Sequence, residues 1–464
     1  MTASTADGSP RASEPAPGPG SSGALVRGLG PVAAIALVTG NMIGSGIFVI
    51  PASLAETAGP IGLLAWLVNV LGYLCLTAVF ADLGGAYPVS GGLQAFARRA
   101  FGPLAGMEVG YLYWLCAVIG NAAFLTAFTE YLGVFAPGVA APWAAFLISQ
   151  LLLWSLTLAN ALGVRAGGVV QIVTTALKLL PLIVLGALLL PHAEPANLEP
   201  LAPHGSGALL PAISLVSWMF IGMESITVPA EEIRGAGRTI RRSVYGGFVL
   251  TSVVYALVLL SVTLAVPTAT LAGSGRPLAE AAGLFYGPSA AKIISATALV
   301  SIAGILNGWL LVTSRMLHAT ARAGLAPAAL ARLSPRFGTP VRALLLSSTL
   351  TGLLVLLYFS GTMLEIYNFI ALFSTATALV AVGFACVAQL VLMRREPERF
   401  SPRQRVRGRV TAALGLAVVI LMINGSGLRI IALTGLCMLA PTPYYLWLRR
   451  RWRRQASAYG PLSR

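Results

Sequence analysis

Two charged side chains stand where their neighbours leave no water for them. Lys178 falls near the middle of the apolar run 168–191, about ten residues or roughly 15 Å from either end at the helical rise, too deep for its stem to reach a polar boundary. Inserting an isolated cation there costs at least about 2.5 to 3.5 kcal/mol, so it needs a partner or a task. Held by backbone carbonyls, its ammonium takes the place of a coupling cation and is also able to carry a proton; the alternative is a purely structural cation. Glu224 follows Phe220-Ile221-Gly222-Met223 inside the run 208–230. A carboxyl at that depth suits a proton carrier or a cation sensor, or else caps the half-helix that follows it.

The backbone supplies the rest of the chemistry. Gly44-Ser45-Gly46 lies mid-run in 30–55, and each glycine weakens a helix by about 1 kcal/mol relative to alanine. Non-helical backbone persists in hydrocarbon only where it lines a cavity or meets a polar ligand, so a break here is a candidate binding site. The half-helix that restarts near Ile47 offers bare N–H groups and a positive dipole end, suited to a carboxylate and worth up to about 2 kcal/mol when partly buried. A second break at Ile221–Glu224 would offer carbonyls to an ammonium group. Together the two breaks fit both ends of an amino acid, against the alternative that Gly-x-Gly is a close-packing face between helices. Ile43-Gly44, then six residues, then Pro51-Ala52 is repeated as Ile221-Gly222, six residues and Pro229-Ala230. An odd number of spans, five, separates the start of the first copy from the second, so the copies are inverted in the membrane.

The elements that must position these groups are membrane helices. Of the 464 residues 57% are hydrophobic and 10% charged, against about 25% charged in an ordinary soluble domain. Apolar runs long enough to cross a bilayer fall at about 30–55, 61–82, 103–133, 142–162, 168–191, 208–230, 243–267, 288–321, 341–360, 363–393, 410–424 and 428–449. Twelve spans put one transmembrane domain over residues 29–450, between a Ser/Ala/Gly/Pro-rich tail at 1–28, expected to be disordered, and a basic tail at 451–464. The net charge of +16 follows alternate connections: Arg98 and Arg99, Arg234 to Arg242, Arg315 to Arg342, Arg394 to Arg409 and Arg449 to Arg454. By the positive-inside rule those connections and both termini are cytoplasmic, and the basic surface needs no nucleic acid to explain it. Asp82, Glu108 and Glu130 lie near span ends and read as solvated interface. Cys75, Cys116, Cys386 and Cys437 are scattered through apolar runs, and three histidines (His192, His204, His318) lie in loops or at helix ends; neither a disulfide framework nor a metal site follows.

Longer motifs carry a family resemblance. Gly40-Asn41-Met42-Ile43-Gly44-Ser45-Gly46-Ile47-Phe48, Ser90-Gly91-Gly92 through Ala97-Arg98-Arg99-Ala100-Phe101-Gly102-Pro103, Tyr113-Trp114-Leu115, Ile119-Gly120-Asn121, Trp218 to Ser225 and Gly308-Trp309 resemble the amino acid–polyamine–organocation superfamily. Within it they are similar to the basic amino acid and polyamine antiporters typified by the arginine/agmatine exchanger. The resemblance spans about residues 29–450. It implies an all-α polytopic fold of about 12 transmembrane helices, built as the inverted five-plus-five repeat first seen in a bacterial leucine transporter, with two helices added at the end. It also implies a carboxylate site at Gly44, Ser45 and Gly46 and an amino site at carbonyls near Trp218 and Ile221. Asn41, Ala117, Asn121 and Phe124 match positions near the substrate, Trp218 and Trp309 match aromatics over its side chain, and Ser374 is a further pocket residue when the tenth span is aligned through Cys386. Tyr113 and Glu224 match gate residues. The pattern departs at Val382, where the exchanger has a gate tyrosine, and at Lys178, where this chain instead resembles proton-coupled, broad-specificity amino acid transporters of the same superfamily.

These readings converge on a plasma-membrane secondary transporter that works by alternating access on an amino acid or its decarboxylated amine. Exchange or proton coupling is expected over sodium coupling, because Lys178 fills the cation's place. Proton-coupled symport of neutral amino acids is the other reading within this class. An enzyme would need an intramembrane nucleophile with a base, or a metal set, and a channel a repeated polar lining or a symmetric filter. No cofactor or metal is expected. The expected partners are the small-molecule substrate, protons and the lipid bilayer; family members occur in more than one assembly, homodimers among them.

Overall fold

An unpaired peptide group in hydrocarbon costs several kcal/mol, and a helix pairs nearly all of its own, so the long apolar runs fold as helices. The computed structural model describes residues 30–162 and 167–458. The tail expected at 1–28 and the last six residues of the basic tail lie outside the described residues. The first run is split into α1 (Pro31–Met42) and α2 (Ser45–Thr57), followed by α3 (Gly62–Ala86), a nine-residue helix α4 (Leu93–Phe101) and α5 (Pro103–Leu132). Next come α6 (Pro142–Leu162), α7 (Gly167–Leu189), α8 (Leu209–Ser217) and α9 (Ala236–Ala265). A single turn, α10 (Thr268–Leu271), leads to α11 (Pro277–Arg322), which bends at Gly287 where φ is 79°. The chain closes with α12 (Val341–Leu354), α13 (Met363–Arg395), α14 (Pro402–Gly425), α15 (Leu428–Leu439) and α16 (Thr442–Ala458).

Among the described residues eleven helical stretches are long and apolar enough to cross a membrane, and the shorter apolar stretch Ser206–Phe220 supplies part of the sixth run. The protein is an all-α, polytopic membrane protein. α1 packs against the 3-10 turn Ser225–Thr227 beyond the second break, while α2 packs against α8 and the turn Trp218–Phe220 before it. The two broken runs therefore lie side by side and antiparallel, the relation expected of inverted copies. α5 packs on both α11 and α13 beside them.

Several boundaries differ from the sequence reading, among them the start of α11 at Pro277 and the split of the last run into α15 and α16. α9 begins at Ala236 and α14 at Pro402, each taking in arginines that read as loop. At α14 the reason is a capping box, in which the Ser401 hydroxyl accepts the Gln404 N–H and the Gln404 side chain accepts the Ser401 N–H, satisfying orphan donors at that end. α4 occupies a connection that also read as loop; it is amphipathic, with Leu93, Phe96, Ala97 and Ala100 buried and Arg98 and Arg99 exposed. The expectation that Asp82 is solvated does not hold. Its side chain is fully buried and takes Nη2 of Arg407 at 2.8 and 2.9 Å and the Gln404 amide at 3.1 Å. The helix that starts early at Pro402 is what delivers this partner.

Candidate substrate site at two helix breaks

At the first break Thr39 O keeps a helical partner, but the next four carbonyls, Gly40 to Ile43, must be paired elsewhere. Thr39 O accepts the Ile43 N–H at 2.8 Å. Gly40 O and Ile43 O accept the Lys178 ammonium at 3.1 and 3.4 Å, Asn41 O accepts the Trp309 indole at 3.3 Å, and Met42 O accepts the Tyr255 hydroxyl at 2.7 Å. Side chains from α7, α9 and α11 thus replace the missing helix. Lys178 is buried, and Gly304 of α11 makes room for it: a Cβ there would stand 3.3 Å from Lys178 Cε. Gly308 does the same for Asn41, whose Oδ1 lies 2.8 Å from where a Cβ would be.

The second break opens after Phe220, with Ile221 extended and Gly222 at φ 116°. Glycine is required there twice over, by its positive φ and because a Cβ would collide with the Asn41 carbonyl. Both Glu224 carboxylate oxygens accept the Gly222 N–H, at 3.1 and 3.2 Å, and Oε1 also accepts the Tyr113 hydroxyl at 2.8 Å. Ser225 donates to Gly222 O at 2.5 Å and accepts the Asn41 amide at 2.8 Å, which ties the two breaks together.

Between the breaks lies a small hollow of about 10 Å³, room for a single water. Of the residues expected at the substrate, Asn41, Gly44, Ser45, Gly46, Ala117, Phe124, Trp218, Ile221, Trp309 and Ser374 line it, joined by Met42, Cys116, Gly120 and Ile305. Asn121 is next to Gly120 in the chain but is not on the wall; it is buried with neither amide atom hydrogen-bonded. Phe124 and Trp218 stack obliquely with centroids 5.5 Å apart, and Tyr113 stands 6.1 Å from Trp309. Tyr113, Lys178 and Glu224 are behind the wall, each bonded to a break or to a residue of one. Ser374 reaches the site by donating to Cys116 O at 2.8 Å. Val382 is buried in α13 and has only its aliphatic side chain to offer.

Sequence reasoning missed two tyrosines. Tyr367 on α13 exchanges a hydrogen bond with Ser45 at 3.0 Å and accepts the Trp218 indole at 2.9 Å, bracing one residue of each break. Tyr255 on α9 lies 2.7 Å from Met42 O and 3.1 Å from Met219 O. Neither has a spacing signal, because the partners are 36 to 322 residues away in the chain.

Residues 29–442 match the family model described as amino acid permease. The chain belongs to that family. It is 26% identical to the branched-chain amino acid permease BcaP of Bacillus subtilis (strain 168), over 92% of this chain and 94% of the relative. It is 28% identical to the cadaverine/lysine antiporter of Escherichia coli (strain K12), over 71% and 74%. With the putrescine transporter PotE of Haemophilus influenzae the identity is 25%, over 77% and 82%. The amino acid permease resemblance read from the motifs holds, and the protein is a secondary transporter, not an enzyme.

Proposed function

We propose that this permease carries an α-amino acid by sodium-independent alternating access, with the zwitterion held between the two breaks. The amides of Ser45 and Gly46 take the carboxylate and the carbonyls near Trp218 and Ile221 take the ammonium. Phe124, Trp218, Trp309 and Ser374 surround the side chain. The observation that carries this reading is the seat of Lys178: its ammonium lies 3.1 and 3.4 Å from two carbonyls at the end of α1, the kind of oxygen set that would otherwise coordinate a coupling cation. The lysine supplies that charge permanently or hands it on as a proton. Glu224 and Tyr113 form the inner gate, and the arginine-rich side faces the cytoplasm with both termini, in the plasma membrane.

Purified protein in proteoliposomes tests this. Uptake of a labelled amino acid proceeds without sodium, and Lys178→Ala lowers it at least tenfold or removes its dependence on a pH gradient. A requirement for sodium, or an unchanged pH dependence in the variant, overturns the coupling role. A second reading, exchange of an amino acid for an amine, is favoured by Glu224, a carboxylate bonded to the second break and thus placed to respond to a cationic ligand. Counterflow separates the two: exchange accelerates uptake when the partner amine is loaded inside.

A further inference from the structure

A bulky side chain on the wall of the hollow between the breaks has no counterpart among the groups assigned to the substrate. α11 comes close to the first break because Gly304 and Gly308 are bare; a Cβ on either would crowd Lys178 or Asn41. Ile305, which follows Gly304 on that face, is buried and lines the hollow. It fills the space that a side chain at position 44 would need. Its Cγ1 and Cγ2 lie 3.3 and 3.2 Å from where a Gly44 Cβ would stand, and its Cδ1 lies closer still. Gly44 precedes the Ser45 and Gly46 amides, so Ile305 sits beside the seat proposed for the carboxylate, one carbon from which an amino acid's side chain branches.

The rest of the wall decides what chemistry that side chain has. Among the described residues no charged side chain lines the hollow. Lys178 is engaged by Gly40 O and Ile43 O, and Glu224 by the Gly222 N–H and the Tyr113 hydroxyl. Each polar side chain that does line it is bonded elsewhere in the protein: Asn41 to Ser225, Ser45 and Trp218 to Tyr367, Trp309 to Asn41 O and Ser374 to Cys116 O. What remains is apolar surface from Met42, Phe124, Ile221 and Ile305. A guanidinium or ammonium on the substrate's side chain would be buried there without a counter-charge, and the attraction of an aromatic face is smaller than the cost of stripping water from an ion. An aliphatic side chain, by contrast, gains by leaving water.

We propose that the substrate is a neutral amino acid with an aliphatic side chain, and that Ile305 limits the length of that side chain. This rests on the reading that the breaks hold the zwitterion. The detergent-solubilised full chain is melted over a concentration series of alanine, leucine, arginine and 1,5-diaminopentane; binding to the folded state raises the melting temperature. Alanine and leucine should give the rise at concentrations at least tenfold below those of arginine and the diamine. A single methylene in an apolar pocket is discriminated by about 10- to 200-fold, so Ile305→Ala should shift the preference between leucine and alanine at least tenfold toward leucine. If that variant shows no cooperative melt, Ile305→Val, which removes one carbon, takes its role with a shift of at least threefold. Arginine or the diamine acting within tenfold of the neutral pair overturns the substrate class. An unchanged leucine-to-alanine preference in the folded variant overturns the limit set by Ile305. Either result leaves the zwitterion site standing, whereas a chain that none of the amino acids stabilises overturns that site and this inference with it.

Discussion

The two breaks solve the same problem in opposite ways. After the first, the chain restarts as α2, a helix of 13 residues, and the stranded carbonyls of α1 are paired by side chains from three other helices. After the second, no α-helix resumes until α9; the chain advances through the 3-10 turns Ser225–Thr227 and Ala230–Glu232 and pairs its freed groups largely within itself, through Glu224 and Ser225. The first break is thus held by side chains of the surrounding bundle, and the second in part by its own Glu224 and Ser225. Short 3-10 turns have poorer hydrogen-bond geometry and mark places where a chain hinges. On that basis the first break is expected to hold the frame and the second to supply the movement.

Substitutions at the two breaks sharpen this division. Gly222→Ala should have the largest effect, because it meets both a forbidden φ and the Asn41 carbonyl; uptake should fall below a tenth of wild type, read in proteoliposomes alongside a melting curve. Tyr255→Phe removes a donor from buried carbonyls of both breaks, and a lost partner for a buried group costs about 1 to 3 kcal/mol. Its melting temperature should fall by several degrees with uptake reduced. A variant that melts normally would show that the first arm does not depend on this anchor. Tyr367→Phe leaves the helices intact but frees Ser45 and Trp218, so the substrate concentration for half-maximal uptake should rise three- to tenfold with little change in melting.

The smallest effect is expected away from both breaks. Glu396, just past α13, accepts Arg99 at 2.7 Å and pairs with Arg399 at 2.8 Å. The hydrogen bond from Arg99 holds its carboxyl below the usual range. A depressed folded-state value means this stability is present at neutral pH and is lost as pH falls through that value. The pair is solvent-screened, so Glu396→Gln should cost less than about 1 kcal/mol, measured as a small drop in melting temperature at pH 7 that narrows at acid pH. A drop as large as that of Tyr255→Phe would remove the contrast between anchored interior and permissive surface.

Most of the scaffold was legible in the sequence because hydrocarbon imposes one rule on every span. The breaks were legible for the same reason: Gly44-Ser45-Gly46 and Gly222 are affordable at that depth only as interruptions. Lys178 announced itself by the cost of its burial, and its carbonyl partners follow from the break beside it. Tyr255 and Tyr367 gave no such signal. A tyrosine in an apolar run is an ordinary filler or boundary residue, and the hydroxyl's target depends on which helices meet, which no local pattern encodes. Asp82 was misread because its partner, Arg407, sits in a stretch too polar to resemble a span, although the Ser401–Gln404 capping box lets α14 begin there.

A phenol has one hydrogen to give. The Tyr255 hydroxyl sits between two acceptors, Met42 on the first arm and Met219 on the second, and it keeps both company only while the arms stay together. Were they to part, it could follow only one, and the other's carbonyl would be left without its donor.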